Sequence, residues 1–362
     1  MPQFVSLIEF CYDWDILLGV SIMCLRMKIK LSHSYNDIIE LNNLFSAWAE
    51  FLVGKSSKLD VQTFEMNLLD NITNLYDDLA NKTYRHGGYH SFYINDPKRR
   101  HIRKAKVRDR LLHHAIYRLL YPFFERTFIS DSYSCRLDKG VYKAIESFDV
   151  KSYGVSKNNT KTCWVLKCDI KKFFDSIDHK ILLDILADYI PDQDIMWLLT
   201  NVIDSYHSEK KQHVGLPLGN LTSQLFANVY MNVFDQWAKH KFKAKHYFRY
   251  ADDFVVFSRD KKWLDNIIEP MRVFLLNKLN LTLHPTKITL KTHASGVDFL
   301  GWVHFPDYKK LRVKTKQRMF RRISDQPLPV VLQSYLGLLN RGNTFKIKND
   351  LLNIYWLFGR SF

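Results

Sequence analysis

Two adjacent carboxylates, Asp252 and Asp253, sit between the apolar runs His246-Tyr247-Phe248-Arg249 and Phe254-Val255-Val256-Phe257. The pattern predicts a β-hairpin with Tyr250-Ala251-Asp252-Asp253 at its tip. Successive side chains on a strand point to opposite faces, so neighbouring aspartates converge only where the backbone turns. A turn that concentrates negative charge is costly unless it binds a cation. A solvated Asp-Asp turn is the plain alternative.

A third acid sharpens the choice. Trp164-Val165-Leu166-Lys167-Cys168-Asp169-Ile170 reads as a buried strand with Asp169 at its C-terminal end, and Asp178 as the cap of a following helix. Alone, Asp169 is an ordinary strand-end acid. With Asp252 and Asp253 it makes an oxygen-rich cluster suited to Mg²⁺, which takes one or two carboxylates plus substrate phosphates. Two such ions about 3.5–4 Å apart can stabilise the attacking and leaving oxygens of a phosphoryl transfer. Between these acids lies Val214-Gly215-Leu216-Pro217-Leu218-Gly219-Asn220-Leu221-Thr222-Ser223-Gln224-Leu225-Phe226. It predicts a tight turn feeding a helix capped by Asn220 or Thr222. Gly219 would let the backbone approach a nucleotide closely.

In this order the segments resemble the palm of a reverse transcriptase. Asp169-Ile170-Lys171-Lys172-Phe173-Phe174 matches motif A, Gly215 to Gln224 motif B, and Tyr250-Ala251-Asp252-Asp253 motif C. Leu283-His284-Pro285-Thr286-Lys287 matches motif D, and Phe299-Leu300-Gly301-Trp302 motif E, the primer grip. The resemblance runs from about Thr83 to the end of the chain. Group II intron and retron enzymes usually carry Gln-Gly and Ser-Pro in motif B. Leu218-Gly219 and Ser223-Gln224 instead resemble the reverse transcriptases of diversity-generating retroelements. An accurate retron- or defence-type enzyme and a non-catalytic RNA-binding scaffold are the alternatives.

The resemblance implies an α+β right-hand polymerase, with fingers, palm and thumb and an antiparallel palm sheet packed on helices in two layers. It divides the chain into an N-terminal extension and helical region (1–81), fingers (82–160), palm (161–305) and a short thumb (306–362). The implied reaction is attack of a primer 3′-hydroxyl on a deoxynucleoside triphosphate, templated by RNA. Asp169 and Asp252 would hold two Mg²⁺ ions, for which Mn²⁺ can substitute. Asp253 would contribute less directly, and Ile170 would offer its carbonyl. Phe174 occupies the steric-gate position against a ribose 2′-hydroxyl. Arg100 and Arg108 match triphosphate-gripping positions, and Lys287 matches a lysine able to protonate departing pyrophosphate. Leu218 and Gly219 would border the nucleotide. Leu300, Gly301 and Trp302 would bear on the primer.

Composition agrees with a polyanionic partner. There are 53 Lys plus Arg against 37 Asp plus Glu, a net charge of +16. Basic residues cluster over Pro97 to Arg110 and Lys309 to Arg322. The implied partners are template RNA, primer and cDNA, deoxynucleoside triphosphates and, for this subfamily, a basic accessory protein. No membrane is implied: Glu9, Asp13 and Asp15 interrupt the apolar stretch Phe4 to Leu25. Five cysteines with no CxxC pair suit a reducing cytoplasm. The scattered histidines, His113-His114 among them, lack zinc-ligand spacing and are expected to pack or hydrogen-bond.

Helical periodicity is expected from about Ser34 to Asn81. Leu41, Leu44, Phe45 and Trp48 form one core stripe, and Phe64, Leu68, Leu69, Ile72, Leu75 and Leu79 another. Ser152 to Lys161 reads as a polar loop, and Val331 to Leu339 as the main thumb helix.

Overall fold

The computed structural model describes residues 29–95, 98–209 and 211–359. The readings made for residues 1–26, Cys11 and Cys24 included, lie outside the described residues.

The centre is a four-stranded antiparallel sheet of β3 (Trp164–Asp169), β4 (Tyr247–Tyr250), β5 (Asp253–Ser258) and β6 (Thr289–Thr292), in the order β4-β5-β3-β6. Alternation along the strands divides its side chains between two cores. Leu166, Cys168, Tyr247, Phe254 and Val256 face the main core, against the long helix Leu221–His240 and the helix Ile268–Leu279. Val165, Phe248, Val255 and Phe257 face a second core built on Phe148, from the helix Val141–Val155, and Phe299. The expected two layers are therefore three, because the strands are apolar on both faces and both faces are covered.

Before this sheet, β1 (Tyr89–Ile94) and β2 (Arg100–Ala105) form an antiparallel hairpin. The helix Val107–Glu125 follows it into the main core. The expected N-terminal helices form as Tyr35–Ile39, Leu41–Leu52, Leu59–Glu65 and Leu68–Ala80. Leu44, Trp48, Ile72, Leu75 and Leu79 are buried, but Leu41, Phe45 and Leu69 are exposed, so the real stripes are narrower than their apolar spacing. The expected loop from Ser152 begins as helix, which runs on to Val155.

After the sheet come three short strands, β7 (Val297–Phe299), β8 (Trp302–His304) and β9 (Lys309–Leu311), which pair antiparallel. The helices Val313–Asp325, Pro329–Leu339 and Phe345–Gly359 close the chain around a separate apolar cluster. The expected helix over Val331 to Leu339 forms, begun by Pro329, whose fixed φ suits a first turn. No helix among the described residues is long and apolar enough to cross a membrane.

Candidate active site

The three aspartates meet at one end of the central strands. Asp169 ends β3 and pairs in register with Asp253, the first residue of β5. Tyr250 pairs with Asp253, leaving Ala251-Asp252 as a two-residue turn, with Ala251 left-handed at φ +54°. The acid-tipped hairpin expected from sequence is thus present. Being opposite in register, Asp169 and Asp253 project from the same sheet face, and Asp252 reaches the same end through the turn. The Ile170 amide ties the segments together by donating to the Asp252 carbonyl at 3.2 Å. Among the described residues, no backbone N–H donates to the carbonyl of Ile170.

Like charges directly across a strand pair repel. Burial pushes the Asp252 carboxyl up to about 6, and Asp253 and Asp169 add to the shift. Asp253 is also raised, by burial first, with Lys167 opposing and Asp169 adding to the rise. Two lysines offset part of this charge. Lys287 Nζ donates to Asp169 Oδ1 at 2.8 Å and Oδ2 at 3.0 Å. Lys167 Nζ lies 3.6 Å from Asp253 Oδ1. Three carboxylates offer the hard oxygen donors that divalent cations take, with both oxygens of Asp169 engaged by Lys287.

The turn before the Leu221–His240 helix forms the neighbouring wall. The Leu218 carbonyl accepts from the Arg103 amide of β2 at 2.9 Å. Asn220 does not cap with its side chain; Oδ1 accepts from the Ala105 amide and Nδ2 donates to the Arg103 carbonyl at 2.9 Å. Gly219 has φ +111°, and a Cβ there would lie 2.8 Å from Ile102 Cγ2. Its missing side chain therefore admits the β1–β2 hairpin. Leu218 is half-buried and Gly219 exposed; Ser223 is buried within the helix and Gln224 half-buried. The Phe174 carbonyl accepts from the Leu216 amide at 2.8 Å, holding the backbone of this half-buried residue beside the same turn.

The remaining expected residues divide. Arg100 is exposed at the start of β2, and its charge opposes the burial-driven rise of the Tyr250 phenol beside the acidic turn. Arg108 is instead paired with Asp78 and lies 5.2 Å over the Tyr84 ring, so its guanidinium is held by the protein. Arg110, from the same basic cluster, pairs with Asp60. Trp302 is fully buried in the C-terminal apolar cluster, where it anchors the last helices. Leu300 and Gly301, both at positive φ, make the turn between β7 and β8.

Arg249 was not singled out from sequence. It is almost wholly buried, and its Nη2 donates to Asp235 Oδ2 at 2.7 Å and its Nη1 to the Ala251 carbonyl at 3.0 Å. It also reaches Asn228 and Ser132, so it binds the acidic turn to the long helix and to the segment after the Val107–Glu125 helix. Only its place within the apolar motif C strand hinted at a buried role. The histidines pack and hydrogen-bond as expected, His113 against His86 and His179 to Asp204 and the Gly215 carbonyl, and His213 converges on the same Asp204.

Antiparallel strands packed with helices, three carboxylates at one strand end and a glycine turn beside them are consistent with a right-hand polymerase architecture. Residues 94–304 match the model of the reverse transcriptase (RNA-dependent DNA polymerase) family. The chain belongs to that family of RNA-directed DNA polymerases. It is 26% identical over 291 residues to Protein YkfC of Escherichia coli (strain K12), covering 70% of this chain and 74% of that one. It is 24% identical over 306 residues to the Group II intron-encoded protein LtrA of Lactococcus lactis subsp. cremoris, covering 64% of this chain and 49% of LtrA. The chain thus spans about half the length of LtrA. Telomerase from Candida albicans aligns over 78% of this chain and 59% of its own, with a TM-score of 0.47 at 12% identity.

Proposed function

We propose that this chain copies RNA into cDNA at the Asp169–Asp252–Asp253 site, as the error-prone enzyme of a diversity-generating retroelement. The observation that supports polymerisation most is the convergence of three carboxylates on one sheet end beside the Leu218-Gly219 turn. Asp169, Asp252 and Asp253, with the Ile170 carbonyl, would hold two Mg²⁺ ions, with Mn²⁺ able to substitute. When bound, the ions would lower the negative charge that builds on the attacking and leaving oxygens. Lys287 shares Asp169 and so stands close enough to pass a proton to leaving pyrophosphate once released from that carboxylate. Arg100, exposed at the start of β2, would grip the triphosphate. Phe174 would exclude the ribose 2′-hydroxyl, and Leu300-Gly301 would bear on the primer.

In this reading residues 82–160 are fingers, 161–305 palm and 306–362 a short thumb, with residues 1–81 as an N-terminal region. RNA, primer and deoxynucleoside triphosphates are the ligands, a basic accessory protein the partner, and the cytoplasm the compartment. The mutagenic part rests on Leu218, whose side chain has no donor or acceptor to steady a nascent pair. The second reading, an accurate retron- or defence-type enzyme, is favoured by the half-burial of Leu218 and its backbone bond to Arg103, which suit a packing role.

Primer extension on defined RNA templates tests both parts. Asp252→Asn should lower the rate by several orders of magnitude at unchanged folding; near-normal extension would remove the site assignment. Leu218→Gln should reduce misincorporation opposite template adenine by about threefold to tenfold, the worth of one hydrogen bond of about 0.5–1.5 kcal/mol. Wild-type errors spread evenly over template bases, and unmoved by the substitution, would select the accurate enzyme.

A further inference from the structure

His179, Asp204 and His213 lie apart from the three catalytic aspartates. His179 opens the helix His179–Ala187, Asp204 ends the helix Gln193–Asp204, and His213 precedes the Gly215 turn. One ligand atom from each lies within 4.8 Å of the others. The backbone fixes this meeting: the His179 amide donates to the His213 carbonyl at 3.0 Å, and the Gly215 amide to the Ile177 carbonyl at 2.7 Å.

The ring of His179 decides the chemistry. Its Nε2 lies 2.7 Å from the Gly215 carbonyl oxygen. A carbonyl only accepts, so Nε2 carries the hydrogen. Nδ1 then faces Asp204 Oδ1, a second acceptor, at 2.9 Å. Two acceptors so close must share a cation, either a second ring proton or a metal ion. A ring proton would serve that pair, and His213 Nδ1 brings a third ligand atom to the same oxygen, at 3.5 Å, so that two imidazoles and a carboxylate surround one point.

We propose that His179 Nδ1, Asp204 and His213 Nδ1 bind a zinc-class divalent ion. Bonds of about 2.0–2.1 Å to a tetrahedral zinc place ligand atoms about 3.3 Å apart. The observed 2.9 and 3.5 Å fall on either side of that spacing. The hydrogen bond from Nε2 to a backbone carbonyl is the outer partner that metal-bound histidines ordinarily have. The His213 side chain is 74% exposed, so a fourth position opens to water. The ion would clasp the segment 205–214 to the start of the His179 helix. That segment carries Glu209, whose carboxylate accepts from Arg103 Nη2 at 2.9 Å. Through His179 and Gly215 the clasp would brace the turn that borders the nucleotide.

The test is zinc binding by the full chain, stripped with chelator and held in excess Mg²⁺ so that the aspartates are already served. Zinc content and calorimetric titration with ZnCl₂ are the readouts. Wild type should take up one equivalent and melt at a higher temperature with zinc than without. His213→Ala, an exposed position that should leave the metal-free melt unchanged, and Asp204→Asn should each weaken binding by about 100-fold or more, beyond the 10–100-fold typical of an outer partner. Zinc bound equally by wild type and both variants, or by none of them, overturns the site and leaves a shared proton. Neither result bears on the polymerase reading, since zinc uptake is measured without nucleotides or primer.

Discussion

Phe174 illustrates how one residue's role depends on what its backbone touches. Its carbonyl is bonded to the Leu216 amide, so its backbone is held beside the turn that ends in Leu218 and Gly219. Phe174→Ala should then open space for a 2′-hydroxyl. The ratio of kcat/KM for ribonucleotides to that for deoxynucleotides should rise by about tenfold or more, about 1.4 kcal/mol of lost discrimination. An unchanged ratio in single-nucleotide kinetics would make the ring a core phenylalanine. Lys287 shows the converse: the sequence offers a loop lysine, and its contact with both oxygens of Asp169 gives it a place in the site.

Between elements, the acidic hairpin is held to its surroundings by buried charge. Arg249 and Asp235 join β4 to the long helix with both side chains about 1% exposed. Removing one partner of such a pair leaves an uncompensated buried charge, which typically costs about 3–5 kcal/mol. Arg249→Met should lower stability by that order in urea unfolding, and adding Asp235→Leu should recover part of it. Full stability in Arg249→Met would mean the pair is not buried as described. A second tie is Asp131, which accepts from Lys239 at 2.7 Å and is paired with Lys151 at 2.9 Å. Burial pushes its carboxyl up, but the two lysines outweigh burial and hold it below the ordinary range. The unfolded chain then binds the proton more readily than the folded one. The contribution is complete above the unfolded value of about 4 and is lost as pH falls through the folded value. Melting curves taken from neutral pH to about pH 3 should show a shallower acid decline for Asp131→Asn than for wild type. Parallel declines would remove Asp131 from the acid response.

Across the whole molecule, the net charge is +16. At the far end of β5 from Asp253, Lys157, Lys243, Lys245 and Arg259 line a cleft of about 410 Å³ beside Trp263. Such a set suits phosphates and a stacked base. Replacing Lys243, Lys245 and Arg259 together by Gln should weaken RNA binding and reduce the slope of log K against log salt by about 2. Extension of a short primer-template at saturation should stay near the wild-type rate, since the change lies about a strand length from the acids. An unchanged slope would make these cations merely solvated.

The sequence by itself determined the motif order, the strand ending in Asp169, the hairpin with Asp252 and Asp253 at its tip and the helix capped by Asp178. Each is written in local periodicity and turn chemistry, which need no distant partner. Folding decided what lies far apart along the chain. The pairing of Arg108 with Asp78, the burial of Trp302 among the last helices and the bond between Arg249 and Asp235 join segments whose spacing carries no signal. The same holds for Gly219, whose open side admits Ile102 of the hairpin. His179, Asp204 and His213 are likewise too widely separated to form a recognisable ligand spacing. Residue type sets what a side chain can do; the packing of strands and helices sets which partner it meets.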